Sequence, residues 1–214
     1  MKVLVTGSSS GIGKATAEKF LAMGHEVYGI DLRDPVISNS NYFHFKQDIR
    51  DPLPALPEME VLVLNAGTIE ECEAIEVNLH ATIKMAEALS QSSVLRSVLI
   101  VASASARNGA EFPLYSASKG GLISYMKNLS LRLAKRGITC NSISPGGVIT
   151  PMNEHILKNP ALYEACKKET LLDRWADPEE ISEWIYFLTV VNKSMTGEDL
   201  LIDNGEMLKS NFIW

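Results

Sequence analysis

Short, nearly continuous apolar runs alternate along the chain with longer stretches in which apolar residues recur every three or four positions. The runs lie at 2–6 (KVLVT), 26–30 (EVYGI), 42–46 (YFHFK), 61–64 (VLVL), 97–102 (SVLIVA), 138–143 (ITCNSI) and 199–202 (DLLI). Helical spacing marks 13–23, about 70–91, 115–135 and 178–191. Strands apolar at almost every position are those buried on both faces. The pattern therefore predicts an α/β fold: one doubly wound parallel sheet of about seven strands, with helices on both faces. Right-handed crossovers then place a ligand beyond the carboxyl ends of the strands.

The connections are uneven. Residues 31–41 (DLRDPVISNSN) and 48–60 (DIRDPLPALPEME) carry too much Pro, Asn and Asp for full helices, so the sheet should be less covered near its second and third strands. Residues 151–177 form the longest irregular stretch, with short helical pieces around 152–158 and 160–172. Coming directly after Pro145-Gly146-Gly147, they read as a flap over a site; the alternative is a passive surface excursion. No internal repeat or low-complexity segment interrupts the 214 residues, and one domain spanning 1–214 is the natural expectation.

Composition narrows the function classes. Hydrophobic residues make up 46% and charged residues 21%, which excludes a disordered chain. A net charge of −6 and the lack of any basic run argue against a nucleic-acid partner. No apolar stretch approaches the length of a membrane span, and the first strand follows the N-terminus too closely for a signal peptide. Cys72, Cys140 and Cys166 are odd in number and lack metal spacing, so they read as reduced thiols with no metal. The expectation is a cytoplasmic protein.

Candidate chemistry enters first at TGSSSGIG, residues 6–13, between the first strand and the first helix. Gly7, Gly11 and Gly13 would let main-chain N–H groups approach phosphate oxygens, and the positive end of the following helix favours an anion. The spacing G-x-x-x-G-x-G is looser than the usual dinucleotide fingerprint. Gly7-Ser8-Ser9-Ser10-Gly11 also fits the G-x-S-x-G elbow of a hydrolase. Such a hydrolase needs strands before the elbow, and neither His80 nor His155 is marked as a base. Asp31, at the end of the second strand, stands where a carboxylate can accept hydrogen bonds from an adenosine ribose and would repel a 2′-phosphate. It favours NAD over NADP; Arg33 could soften that preference.

The second place is YSASK at 115–119. Tyr115 and Lys119 are one helical turn apart on one face. A free tyrosine ionises near pH ~10, and a neighbouring ammonium stabilises the phenolate and brings the proton within catalytic reach. Y-x-x-x-K alone is also a common surface pair. Ser116 and Lys119 spell S-x-x-K, but the companion S-D-N and K-T-G elements of acylating serine enzymes are absent. Ser103 ends a strongly apolar strand and would face the same crevice, with Ser105 as a rival. Asn78 lies inside a helix, where asparagine is a weak former and needs a reason.

Together these residues resemble the classical short-chain dehydrogenase/reductase family in a shortened form. TGSSSGIG is similar to its cofactor motif, LNAG at 64–67 to its N-N-A-G, and VNL at 77–79 to the segment with its helix asparagine. Ser103, YSASK, ISPGGVITPM at 143–152, DPEEIS at 177–182 and TGEDLLIDNG at 196–205 follow in the family's order. The resemblance implies an NAD(P)-binding Rossmann fold with Gly7, Ser9, Gly11, Ile12 and Gly13 at the pyrophosphate turn and Asp31 on the ribose. It implies Asp48 and Ile49 at the adenine, Asn65, Ala66 and Gly67 beneath the ribose and backbone, and Pro145, Gly146, Val148 and Thr150 at the nicotinamide. Tyr115 would be the general acid/base, Lys119 would lower its pKa and bind the nicotinamide ribose, and Ser103 would bond the substrate oxygen. Asn78 would hold a water linking Lys119 to solvent.

The implied activity is hydride transfer between NAD(H) and a small secondary alcohol or ketone; a catalytically weak dinucleotide-binding regulator or scaffold is the alternative. Leu64 and Ala102 depart from the family pattern without removing any of the four catalytic candidates. The missing length falls in the two thin crossovers and between Gly67 and Asn78, which should open the substrate side of the cleft. The resemblance also implies a homodimer or homotetramer through the helices at 70–91 and 115–135. Leu122, Met126, Leu129 and Leu133 offer either an interface stripe or ordinary core, and the apolar ending NFIW either an interface plug or a cluster on its own subunit.

Overall fold

The computed structural model describes residues 1–110 and 112–208, so the NFIW ending lies outside the described residues. The strands are β1 (Lys2–Thr6), β2 (Glu26–Asp31), β3 (Tyr42–Lys46), β4 (Val61–Leu64), β5 (Ser97–Val101), β6 (Thr139–Pro145) and β7 (Asp199–Ile202). They form one wholly parallel sheet in the order β3-β2-β1-β4-β5-β6-β7. Strand order reverses at β1, where Val5 pairs with Gly29 on one side and Val63 on the other. At such a switch point the loops leaving the carboxyl ends diverge and open a crevice.

The helices are α1 (Gly11–Ala22), α2 (Glu71–Ala74), α3 (Thr82–Leu89), α4 (Ser105–Asn108), α5 (Pro113–Leu133), α6 (Glu154–Leu157), α7 (Pro160–Lys168) and α8 (Pro178–Tyr186). Alternation within the strands feeds two cores. Leu4, Leu62, Val98 and Ile100 face the layer of α3 and α5, where Met85, Leu122, Met126 and Leu129 meet them. Val3, Val5, Val61 and Val63 face Phe20 of α1 and Ile181 and Ile185 of α8. Each large side chain so buried contributes on the order of 2 kcal/mol. Leu122, Met126, Leu129 and Leu133 are all buried within this core, so that stripe belongs to the chain's own interior and offers no subunit interface.

No helix forms between β2 and β3 or between β3 and β4, and none of the five residues of β3 is fully buried. Ile37 and Tyr42 pack on the bare layer instead. Tyr42 crosses above Gly29 to bond Ser8 Oγ at 2.8 Å. A Cβ at Gly29 would stand 2.3 Å from both hydroxyl oxygens, which is why this strand position is glycine.

The helical pattern at 70–91 resolves into three pieces: α2, a π-helical turn at Ile75–Ala81, and α3. Single π turns within helices are rare and frequently fall at functional sites, and Asn78 sits in this one. Among the described residues no helix is long and apolar enough to cross a membrane.

Candidate active site

Helix α5 delivers Tyr115 and Lys119 to the crevice. Pro113 occupies its first position, where a missing N–H costs nothing. The Leu114 and Tyr115 amides donate to Glu71 Oε2 and Oε1 at 2.9 and 3.1 Å. One turn on, the Lys119 ammonium lies 5.7 Å from the centre of the Tyr115 ring and donates to the Val101 carbonyl at 2.9 Å. Lys119 is 4% exposed, and burial pulls its pKa down to about 8. Desolvation disfavours the ammonium, while the Val101 carbonyl holds it in place.

Ser103 lies two residues beyond the end of β5 rather than on the strand itself, and its Oγ accepts from the Ser105 hydroxyl at 2.9 Å and the Ser105 amide at 3.2 Å. The two serines form one hydrogen-bonded unit, and both face the crevice. Asn78 is fully buried. Its Oδ1 accepts from the Thr68 amide at 2.7 Å, and its Nδ2 donates to the Thr68 carbonyl at 2.9 Å and to Ser118 Oγ at 3.0 Å. A Cβ on Gly67 would stand 3.0 Å from Asn78 Oδ1 and 3.4 Å from Lys119 Nζ, so Gly67 lies between the two.

On the other side of the switch point the glycine turn wraps the amino end of α1. Gly7 and Gly11 have φ of +70° and +50°, which only glycine adopts readily. The N-cap Ser10 makes no side-chain capping bond, and the first turn of α1 carries no acidic residue. The leading amides thus remain open to an anion. Gly13 has a different cause: its Cβ would fall 2.0 Å from the Gly7 carbonyl oxygen, so glycine there lets helix and turn close together.

Asp31 Oδ2 accepts from the Ser9 amide at 2.9 Å and Oδ1 from the Arg33 amide at 2.8 Å, tying the glycine turn to the end of β2. Ser9 Oγ is buried with no protein partner. Thr6 Oγ1 accepts from the Asn65 and Ala66 amides at 2.9 and 3.0 Å and holds the ends of β1 and β4 together. Asp48 pairs with Arg50 at 2.6 Å, and that guanidinium holds its carboxyl below the usual range.

Two cavities meet here. One of about 470 Å³ is lined by Ser103, Tyr115, Lys119, Pro145, Gly146 and Val148, and by Met152, Ile156 and Trp175 of the 151–177 stretch. The other, about 330 Å³, is lined by Gly7, Gly11, Asp31, Asp48, Ile49 and Ala66. Ile12, Asn65, Gly67, Thr150 and Met152 line both, so the crevice is continuous from the glycine turn to Tyr115. Ser9, Gly13 and Asn78 line neither and act on the walls from behind. The 151–177 stretch is pinned at its far end by the Ile149 amide, which donates to the Ala176 carbonyl at 2.9 Å.

A family model described as "Enoyl-(Acyl carrier protein) reductase" matches residues 59–206. The chain is 30% identical to an L-rhamnose 1-dehydrogenase (NAD(P)(+)) from Sphingomonas sp., over 95% of this chain and 94% of that protein. The chain belongs to the short-chain dehydrogenase/reductase family. It is an oxidoreductase by that membership.

Among solved structures, an oxidoreductase of the same family from Burkholderia thailandensis superposes with a TM-score of 0.87 at 29% identity, covering 97% of this chain and 93% of that one. The ligand-free aldohexose dehydrogenase of Thermoplasma acidophilum superposes with a TM-score of 0.89 at 24% identity, covering 100% and 96%, which speaks for the fold. The alignment with the Sphingomonas protein runs over 251 positions, more than the 214 residues available, so this short-chain dehydrogenase/reductase is trimmed internally.

Sequence reasoning missed the bonds that cross between elements. Thr6 lay inside a motif already singled out, but its role as acceptor for two amides of the β4 loop has no local mark. Glu71 is 43 residues from Leu114 and carries no signal that it ends on α5.

Proposed function

We propose that this oxidoreductase transfers a hydride between NAD(H) and a small secondary alcohol or ketone, with Tyr115 as the general acid/base. The observation that carries this reading is the single crevice joining the open amino end of α1 to Tyr115 and Lys119. The turn suits a dinucleotide: Gly7 and Gly11 leave room for its backbone, and the uncapped amides of α1 suit its pyrophosphate. When bound, the cofactor supplies or accepts the hydride.

The chain's own residues supply the rest. Lys119 holds positive charge beside the Tyr115 ring and favours the phenolate, so the phenol can exchange a proton with the substrate oxygen near neutral pH. Ser103, buttressed by Ser105, orients that oxygen. Asn78 fixes Thr68 and, through Ser118, the face of α5 that carries Lys119. Gly7, Gly11 and Ile12 bind pyrophosphate, and Pro145, Gly146, Val148 and Thr150 border the nicotinamide end. Asp48, with its carboxylate spent on Arg50, serves the adenine pocket together with Ile49. Asp31 accepts from the ribose hydroxyls and repels a 2′-phosphate, which favours NAD.

The test incubates purified protein with NAD and a panel of secondary alcohols and aldoses, L-rhamnose included, and follows NADH absorbance. Turnover by the unmodified protein and none by Tyr115→Phe supports the reading. Equal turnover by both rejects it.

A further inference from the structure

The helix that carries the reactive phenol begins without a cap of its own. Phe112 stands at the N-cap with no side-chain oxygen to offer, and the first turn of α5 has no acidic residue. The cap comes from elsewhere in the chain: both oxygens of Glu71 close on this helix, at 2.9 Å from the Leu114 amide and 3.1 Å from that of Tyr115. The amide of the reactive residue is thus bonded directly to a carboxylate of the abbreviated segment between Gly67 and Asn78. Asn78 ties that segment's other end to Ser118 at 3.0 Å, so the segment holds α5 at Tyr115 itself and again about one turn further on. Glu73, two residues on, reaches instead toward the nucleotide side and meets Arg50 at 3.2 Å.

We propose that Glu71 is a positioning residue for Tyr115 that also sets its proton affinity. This deepens the function proposed above and rests on it. Two bonds to successive backbone amides fix the height of Tyr115 relative to Lys119. The same carboxylate sets a negative charge on the positive end of a 21-residue helix, opposing the field that would otherwise favour the phenolate. Lys119 and Glu71 then act on the phenol with opposite signs.

Other charged groups face this region among the described residues. Glu169 and Glu206 line the cleft with the titratable His155. Glu70 and Glu73 flank Glu71 in sequence, and Arg107 of α4 is paired with Asp199 at 2.8 Å. Substitution at Glu71 leaves all of them in place, so a difference between variants reports on Glu71.

The experiment titrates tyrosinate absorbance against pH in the full-length protein without substrate, subtracting the Tyr115→Phe variant to isolate one phenol. Glu71→Gln keeps the shape and an acceptor oxygen but removes the charge, and the Tyr115 titration should move down by a few tenths to about one pH unit. Glu71→Asp keeps the charge and should titrate close to the unmodified protein. Where Gln alters the melting temperature, Glu71→Ala gives the same reading. An unchanged titration in Glu71→Gln, or an equal shift in Glu71→Asp, overturns the proposal. Turnover that survives Tyr115→Phe would instead reject the chemistry assigned to Tyr115, so the two failures are told apart.

Discussion

The Lys119 ammonium lies 5.7 Å from the centre of the Tyr115 ring and is anchored to the Val101 carbonyl at 2.9 Å, buried beneath the crevice. Its desolvation is a standing cost.

That cost has a pH signature. Burial lowers the Lys119 pKa from 10.5 to about 8, so the unfolded chain binds more protons between those values. Stability contributed by this group therefore rises from pH 8 toward 10.5, and below pH 8 the cost of the buried charge is fully present. Lys119→Met should melt higher than the unmodified protein at pH 7, by roughly 1–3 kcal/mol less the lost bond to Val101. The gap should narrow as pH is raised toward 10. A gap that does not change with pH, in melts across this range, would contradict the assignment.

Tyr115→Phe removes one oxygen and should lower kcat by at least about 10³-fold, because among the described residues lining the cleft no other holds a phenolic proton beside Lys119. The Kd for NADH, followed by fluorescence, should change by less than about threefold, since the α1 turn is untouched.

Asp31 has two duties, and its replacement should show both. If Asp31 selects against a 2′-phosphate as proposed, Asp31→Asn should lower the ratio of NADH to NADPH affinity by about tenfold. The bond from the Ser9 amide at 2.9 Å should survive on the remaining carbonyl oxygen only if the amide is oriented for it, so a melting loss of up to about 1 kcal/mol accompanies the change. Titration with both nucleotides, together with a melt, measures the two effects separately.

Gly67→Ala places a methyl 3.0 Å from Asn78 Oδ1 and 3.4 Å from Lys119 Nζ. Neighbours must yield by a few tenths of an ångström, and those neighbours hold Thr68 and flank Tyr115. Turnover should fall by roughly tenfold or more, the scale of a small misplacement at a reacting centre. The melting temperature should drop only slightly. Normal kcat with a large melting loss would show that the wall has no part in alignment.

Much of the site was legible in advance because it rests on short-range chemistry. The i, i+4 pair Tyr115 and Lys119 follows from helix geometry alone, and the positive φ of Gly7 and Gly11 from the turn they make. Gly13 was assigned to the same turn, but its reason is the Gly7 carbonyl at 2.0 Å from where a Cβ would lie, a contact that requires the helix to have docked. The stripe Leu122, Met126, Leu129 and Leu133 was equally compatible with an interface or a core, because periodicity reports which face is apolar and not what covers it. In the fold, the sheet covers it.

Hydrophobic spacing and local propensity by themselves determined the alternation of strands and helices and the two connections too rich in proline for helices, while the resemblance to the family rested on its quoted motifs in order. Only the tertiary structure decided that Glu71 caps a helix 43 residues away, that Thr6 gathers the Asn65 and Ala66 amides, and that Asn78 spends its amide on Thr68 and Ser118. The physical reason is range. Periodicity and capping act within a turn or two of helix, whereas these bonds join groups brought together only after the sheet and its layers have packed, and a polar side chain bears no mark of the distant backbone it will satisfy.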